Sequence, residues 1–170
     1  MLHRLLHAAE TLMPFQTVSA HCDIPCGIYD PHLAQLAAHT VVRMVQLISE
    51  LPKPGADATG QQRQEFVHRM ARATATKDEH AELVKHEVRI IWGDFFKPEH
   101  LKQFPELHEL VWQIMKLASK ARQDVSMEPA QELLVKVQRF AELFWKAKGI
   151  EAVRIKAPYP SGGELVLPKP

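Results

Sequence analysis

The sequence predicts an all-α protein, an antiparallel four-helix bundle, from three observations. Four stretches carry apolar residues at spacings of three and four, the pattern of an amphipathic helix with one buried face. These stretches have similar lengths and short connections, as in a bundle of antiparallel helices. The chain has 170 residues, of which 46% are hydrophobic and 24% charged, so we expect one domain with a packed core.

The first helix is predicted to begin at Asp30-Pro31, because Asp accepts hydrogen bonds from free amides and Pro fits the first helical position. The prolines and glycine of residues 51–55 end it. A second helical pattern runs from about residue 62 to 93. The predicted buried stripes of these two helices are Leu33, Leu36, Ala37, Val41, Met44, Val45 and Ile48, then Phe66, Met70, Ala73, Val84, Val88 and Ile91.

Lys97-Pro98 and Phe104-Pro105 mark a connector between the two halves of the bundle. The third stripe begins at Leu107, and Glu128-Pro129 opens the fourth helix, for which Gly149 is a suitable C-terminal cap. Residues 150–170 hold four prolines and two adjacent glycines, so we expect an irregular tail there.

Composition excludes several classes of protein. Lys and Arg number 21 against 20 Asp and Glu, for a net charge of +1, whereas a nucleic-acid binder shows clustered positive charge. No apolar run approaches the roughly 18 to 20 residues of a membrane-spanning helix. Two cysteines are too few for a multi-bridge disulfide scaffold or a four-cysteine zinc site. We therefore expect neither nucleic acid nor membrane as a partner.

Residues 1–20 form a leader ahead of the first helix. Small residues at 18–20 suit a signal peptidase, but polar side chains interrupt the apolar stretch that a secretory signal needs. A removable pro-segment or an ordinary flexible terminus fits these residues better.

Both cysteines lie four apart in the segment His21–Pro31, which reads HCDIPCGIYDP. Pro25 and Gly27 disfavour a helix here, so we expect a compact loop that can turn both sulfurs inward. A disulfide would have to meet strict geometry in so small a loop. Two small buried apolar residues beside a helix start are the other structural alternative.

His21 adds an imidazole to the two thiolates, which leaves three donors where a structural zinc site needs four. A cut after Ala20 would change that count. The free α-amine of His21 and the amide nitrogen of Cys22 would then join the sulfurs of Cys22 and Cys26 in a planar set, with the His21 ring at the apex. Such mixed nitrogen and sulfur donors indicate nickel or copper.

The segment His21–Pro31 resembles the metal-binding hook of nickel-containing superoxide dismutases, whose pattern is His-Cys-Asp-x-Pro-Cys-Gly-x-Tyr-Asp-Pro. The resemblance extends over about residues 21–148, and the leader and tail carry no family pattern. Further matching residues are Ala81-Glu82-Leu83, Trp92, Asp94, Phe96-Lys97-Pro98, His100 and Pro105-Glu106-Leu107-His108.

The resemblance implies a metal-binding hook on a four-helix bundle over residues 21–149, and assembly into a homohexamer. It implies nickel bound by His21 through its amine and ring, by Cys22 through its amide and sulfur, and by Cys26 through its sulfur. The implied reaction converts superoxide to dioxygen and hydrogen peroxide while nickel alternates between the +2 and +3 states. It also implies that a dedicated peptidase removes residues 1–20 from a precursor, which we expect to be cytoplasmic.

Four further residues receive roles from their positions. Tyr29 would hold a water over the metal and help to deliver protons, unless it only packs at the helix start. Asp23 would orient the hook through backbone amides, and Asp30 is interpreted as a helix cap. Lys97 would draw superoxide inward, unless it is an ordinary solvated lysine.

The chain departs from the family pattern at three positions. The family supports its axial histidine with a Glu in the first helix and an Arg in the second, where this chain has Ala37 and His80. A second Tyr expected before Phe96 is Phe95. We interpret His80, His86 and His100 as surface or core residues rather than metal ligands.

Two other functions are compatible with the sequence. One is a non-catalytic nickel- or copper-binding protein that uses the same hook as a metal reservoir. The other is a helical interaction module in which both cysteines are structural.

Overall fold

The structure, a computed structural model, describes residues 27–170. Within this range five α-helices precede a two-stranded sheet. A π-helical segment, Ile91–Phe95, continues the second helix. The bounds are α1 His32–Ser49, α2 Gly60–Ile90, α3 Pro98–Gln103, α4 Leu107–Gln123, α5 Met127–Ala147, β1 Ala152–Lys156 and β2 Glu164–Pro168.

The four long helices α1, α2, α4 and α5 form a bundle in which each packs against two others: α1 on α2 and α5, and α4 on α2 and α5. Contacts between α2 and α4 show that these two run antiparallel. Trp92, just after α2, bonds to His108 at the start of α4, and Lys77, within α2, bonds to Ala121 near the end of α4. The predicted helical bundle is confirmed. No helix of residues 27–170 is long and apolar enough to cross a membrane.

The first half of α2 is longer than the bundle that it joins. A capping box at Thr59 and Gln62 starts the helix: the Gln62 amide donates to the Thr59 hydroxyl (3.2 Å), and the Thr59 amide to the Gln62 side chain (2.8 Å). From Gly60 to Thr76 no side chain is buried. The predicted burial of Phe66, Met70 and Ala73 was therefore wrong, since α4 ends beside Lys77 and leaves them only partly covered. Leu33 in α1 is also exposed, at 53%.

Two predicted boundaries are well defined. Pro98 occupies the first turn of α3, a short helix inside the predicted connector. Gly149 has a φ of +73°, a conformation that favours glycine at the end of a helix. The Ile150 amide donates to the Trp145 carbonyl at 2.9 Å, which closes the last turn of α5. Gly149 is thus the C-terminal cap that the sequence predicts.

Residues 150–170 are not the irregular tail that we expected. Strands β1 and β2 pair antiparallel as a β-hairpin, with Arg154 opposite Val166. The prolines lie in the connection and at the end of β2, and Gly162 and Gly163 take positive φ values of 69° and 78° in the connection, so neither residue type interrupts the ladder. Leu165 and Val166 are both buried, although consecutive strand residues point to opposite faces. Val166 belongs to the hydrophobic core of the bundle, and this contact positions the hairpin.

Side chains from the bundle bind the hairpin backbone. The side-chain amide of Gln35, in α1, donates to the Val166 carbonyl (2.9 Å) and accepts from the Val166 amide (2.8 Å). Gln138, in α5, donates to the Glu164 carbonyl at 2.6 Å. Gln35 and Gln138 are both buried, so these bonds satisfy polar groups that would otherwise be costly to bury.

His39, in α1, holds the hairpin connection. Its Nε2 is 3.0 Å from the Glu164 carbonyl oxygen and its Nδ1 is 2.9 Å from the Ser161 hydroxyl. A carbonyl only accepts, so Nε2 donates, and the neutral ring accepts the Ser161 proton at Nδ1. Burial lowers the pKa of His39, outweighing the carbonyl bond, which raises it.

Lys77 is a fully buried cation at the end of α4. Its ammonium donates to the carbonyls of Ala121 and Arg122, the latter at 3.0 Å, and forms an ion pair with Asp78 at 2.9 Å. The last carbonyls of a helix lack partners within the helix and carry partial negative charge. Lys77 therefore caps α4 from the neighbouring helix and fixes the register of α2 against α4.

We expect Lys77→Met to lower the free energy of unfolding by about 1–3 kcal/mol, because it leaves buried helix-terminal carbonyls without a donor. Urea unfolding of the variant measures this loss. Lys102→Met is the matched control, since Lys102 is exposed and makes no such bonds. Equal midpoints for the two variants would contradict the capping role of Lys77.

We expect His39 to make folding stability fall as the pH is lowered through the range below its ordinary pKa of 6.5. There the unfolded chain takes up a proton that the folded chain resists, so the free energy of unfolding decreases. His39→Gln lacks this titration. The urea midpoint should change more between about pH 7.5 and about pH 5 for the original chain than for His39→Gln. Equal changes in the two proteins would contradict the proposed effect of His39 on stability.

Candidate metal centre

The predicted ligands His21, Cys22 and Cys26 lie outside the described residues, as does Asp23. Within residues 27–170 the structure contains no group of three or more His, Cys, Asp or Glu side chains that could hold a metal ion. The structure therefore describes what lies next to the hook, from Gly27 onward.

The backbone between Gly27 and α1 has a defined course. Gly27 has a φ of +72°, and an added Cβ would meet no atom within 4 Å, so the conformation rather than space favours glycine. Asp30 accepts a hydrogen bond from the His32 amide at 2.7 Å, in the way predicted for a helix cap. The Gln35 amide donates to the Pro31 carbonyl at 3.2 Å. The end of the hook segment is thus joined directly to a buried helix.

Tyr29 packs against an aromatic cluster at this end of the bundle. Its ring centroid is 5.9 Å from that of Phe95, which lies 4.7 Å from Phe144 and is stacked on His100 at 5.7 Å with an interplanar angle of 11°. The ring of Tyr29 is partly buried. The aromatic cluster comprises Tyr29, Phe95, Phe96, His100, Phe140 and Phe144.

Phe95 is the last residue of the π-helical segment that continues α2. Phe96 donates its amide to the Ile91 carbonyl at 3.3 Å, a bond five residues back that widens the helix by one residue. The family pattern expects a second tyrosine at position 95. Phe95 has no hydroxyl, so it offers Tyr29 only a ring contact.

Two lysines lie beside the aromatic cluster. Lys97 follows Phe96 and is exposed, and its amide donates to Nδ1 of His100 at 3.1 Å. The ammonium of Lys148 lies 5.3 Å from the centroid of the Phe144 ring. Sequence reasoning selected Lys97 and missed Lys148, although residues 144 and 148 are four apart at the end of α5 and therefore share a face.

Ala37 and His80, the positions of the first two departures, line one cleft. This α1–α2 cleft has a volume of about 510 Å³ and is closed on one side by the hairpin connection at 159–161. His80 is partly buried and its Nδ1 lies 2.8 Å from the Thr76 carbonyl oxygen. Tyr159 lies edge-on to His39, with ring centroids 5.3 Å apart. The sequence offers no signal that residues 159–161 line this cleft, since only the β-hairpin brings them to it.

His86 and His100, which we interpret as surface or core residues rather than metal ligands, lie apart from each other. His86 is exposed, and His100 is stacked within the aromatic cluster. Neither lines the α1–α2 cleft. The structure therefore brings Tyr29 and Lys97 to one end of the bundle and places His80 between α1 and α2.

Comparison with known proteins gives consistent matches. The family model described as nickel-containing superoxide dismutase matches residues 16–148. Two curated proteins, the "Superoxide dismutase [Ni]" of Streptomyces coelicolor and that of Streptomyces seoulensis, are each 36% identical over 135 residues, which covers 79% of this chain and 93% of the relative.

Solved structures agree with these relatives. A native nickel superoxide dismutase structure is 34% identical, with a TM-score of 0.64, and the match covers 75% of this chain and 99% of that chain. A structure described as having nickel ligation of the oxidised state is 33% identical, with a TM-score of 0.64, and covers 76% and 99% respectively. The family-model match ends before the β-hairpin.

We expect Phe95→Ala to lower the free energy of unfolding by about 2–4 kcal/mol, because it removes a partly buried ring that joins the Tyr29 and Phe144 rings. Near-ultraviolet circular dichroism should show a weaker aromatic signal, since the rings around it lose their fixed contact. Phe66→Ala is the control, because Phe66 is also partly buried but lies outside the aromatic cluster. Equal losses for both variants would argue against a special role of Phe95.

Proposed function

Since this chain belongs to the family of nickel-containing superoxide dismutases, we propose that it converts two superoxide anions and two protons into dioxygen and hydrogen peroxide, with nickel alternating between the +2 and +3 states. The observation that carries this proposal is the family match over residues 16–148, which contains the whole segment His21–Pro31 and the bundle that follows it. Superoxide is then the substrate and nickel the cofactor.

The chemistry of the proposed donors fits nickel. We assign the amine and ring of His21, the amide nitrogen and sulfur of Cys22, and the sulfur of Cys26 as the ligands. Nitrogen donors in a plane suit nickel(II), and thiolates raise the electron density on the metal. Binding requires deprotonated ligands, so nickel uptake should increase as the pH rises. The hydrogen bond from the His32 amide to Asp30 supports this assignment, because it ties the end of the hook to α1.

When bound, nickel supplies one-electron exchange, and the surrounding side chains bind the anion and move protons. The Tyr29 ring packs against Phe95. This fixed position supports a role for the Tyr29 hydroxyl in holding a water and delivering protons. Lys97 is exposed two residues after Phe95, so its charge would attract superoxide to this end of the bundle. Asp23 would orient the hook through its backbone amides.

We further propose that the active form begins at His21. The proposed ligand set uses the α-amine of His21, which exists only after residues 1–20 have been removed. A dedicated maturation peptidase acting on a cytoplasmic precursor would produce this terminus. Residues 21–149 then form the hook and bundle.

The proposed assembly is a homohexamer, as the resemblance implies. Exposed apolar side chains support an association of subunits, because such groups favour burial in an interface. Val67, in the uncovered first half of α2, is 63% exposed, and Trp112, in α4, is 58% exposed.

The proposed function is tested with protein that begins at His21 and has been loaded with nickel. We expect it to consume superoxide, and expect Cys22→Ser and Cys26→Ser to abolish both activity and stoichiometric nickel, because each removes a thiolate ligand. Protein that begins at Met1 should lack activity. Superoxide consumption is followed by stopped-flow absorbance and nickel by elemental analysis.

The outcomes separate the alternatives. Nickel or copper uptake without turnover would favour a metal reservoir, and indifference to both nickel and the cut would favour an interaction module. Full activity of protein starting at Met1 would overturn the assignment of the amine ligand. Mass spectrometry of protein from its native host gives the mature terminus and the bound ion together.

A further inference from the structure

We propose that Ser161 is an activated nucleophile with His39 as its base, and that this pair hydrolyses esters of small apolar acids at the hairpin edge of the α1–α2 cleft. The activity needs no nickel and does not rest on the proposed function. Ser161 lies in the β-hairpin, beyond the family-model match over residues 16–148. The pair is therefore a second site, separate from the hook.

The side chains of Ser161 and His39 have the geometry of a nucleophile and its base. The Ser161 hydroxyl oxygen lies 2.9 Å from Nδ1 of His39, a distance at which a base can take the hydroxyl proton. Nε2 of His39 donates to the Glu164 carbonyl at 3.0 Å, so the unprotonated nitrogen of the neutral ring faces the hydroxyl. Burial lowers the pKa of His39, which keeps this nitrogen free to accept a proton at neutral pH.

A third group orients the base. The Glu164 carbonyl accepts both the His39 N–H and the side-chain amide of Gln138, the latter at 2.6 Å. Gln138 is buried, so the carbonyl and the ring hold fixed positions. The same carbonyl would support the positive charge of the His39 ring once the ring has taken the proton, as the third member of a serine triad does.

Two glycines allow this arrangement. Ser161 and Glu164 are three positions apart, yet they bind opposite nitrogens of one imidazole ring. Gly162 and Gly163, with φ values of 69° and 78°, turn the chain around that ring in a conformation that favours glycine. An added Cβ at Gly163 would lie 3.4 Å from Cε1 of His39, so the backbone comes very close to the ring. The turn is thus built around the imidazole.

The pair opens on a cleft of suitable size and chemistry. Ser161 and His39 both line the α1–α2 cleft, whose volume is about 510 Å³, within the roughly 300–1,000 Å³ of small-molecule pockets. Leucines from α1 and α2 supply apolar walls for a short acyl chain. Arg43 lines the same cleft, and among the described residues its guanidinium bonds only to Gln46. Its positive charge favours the negative charge that develops on an ester carbonyl oxygen under attack.

The reaction follows from these contacts. The Ser161 oxygen attacks the ester carbonyl carbon while its proton passes to Nδ1 of His39. The bond to the alcohol oxygen then breaks, and His39 returns the proton to that leaving oxygen. Water attacks the acyl group on Ser161 with the same proton transfers, which releases the acid and restores the hydroxyl. Ester and water give acid and alcohol, and no other reactant is needed.

The test uses the full chain after treatment with a metal chelator. A fluorophosphonate transfers its phosphonyl group to an activated serine with loss of fluoride, and we expect one group per chain, located at Ser161 by peptide mass spectrometry. The chain should also turn over p-nitrophenyl butyrate. Ser161→Ala should lose both the label and the turnover. His39→Gln can still bind the hairpin but cannot take a proton, so it should slow labelling by about 100-fold or more.

Ser119→Ala is the matched control. Ser119 is also partly buried, but its hydroxyl accepts from Lys85 at 2.7 Å and donates to the Met115 carbonyl, so it has no base. This variant should leave labelling and turnover unchanged, and thermal unfolding shows whether each variant is folded. An unlabelled Ser161, or equal labelling rates in the original chain and folded His39→Gln, would overturn the inference. Labelling without ester turnover would overturn the assigned substrate class.

Discussion

The contact of Phe95 with Tyr29 and Phe144 joins the start of α1 to the core of the bundle. Ligands drawn from a few residues near a chain terminus cannot position themselves, because a short free segment has many conformations. Here the chain leaves the hook through Gly27, Tyr29 and Asp30, and each has a fixed place: a left-handed backbone, a packed ring and a helix cap. The proposed metal centre would take its rigidity from α1 and the aromatic cluster.

Buried polar side chains determine how the elements fit around this core. Lys77 binds the last carbonyls of α4, Gln35 binds the backbone of Val166, and His39 binds the hairpin connection. Apolar packing alone tolerates small shifts between helices, whereas a buried donor without its acceptor is expensive. These bonds therefore specify the register of α2 against α4 and the position of the hairpin on α1.

Much of the bundle could be predicted because its signals are local. The apolar stripes, the prolines at helix starts and Gly149 each act within a few residues of their own position, and the structure confirms the helices they indicate. The uncovered half of α2 could not be predicted, since it depends on where α4 ends. The β-hairpin was missed because its prolines and glycines suggested irregular chain, while its attachment to α1 depends on Gln35 and His39, more than a hundred residues earlier.

By itself, the sequence determined the donor types within His21–Pro31 and the resemblance that they carry, because chelation by neighbouring residues is a property of spacing and side-chain chemistry. Only the tertiary structure decided what surrounds them. It placed Phe95 against Tyr29, and it brought Ala37, His80 and the hairpin connection to one cleft. These residues are distant in the chain and meet only because the helices pack, so no local pattern could have assigned them to one site.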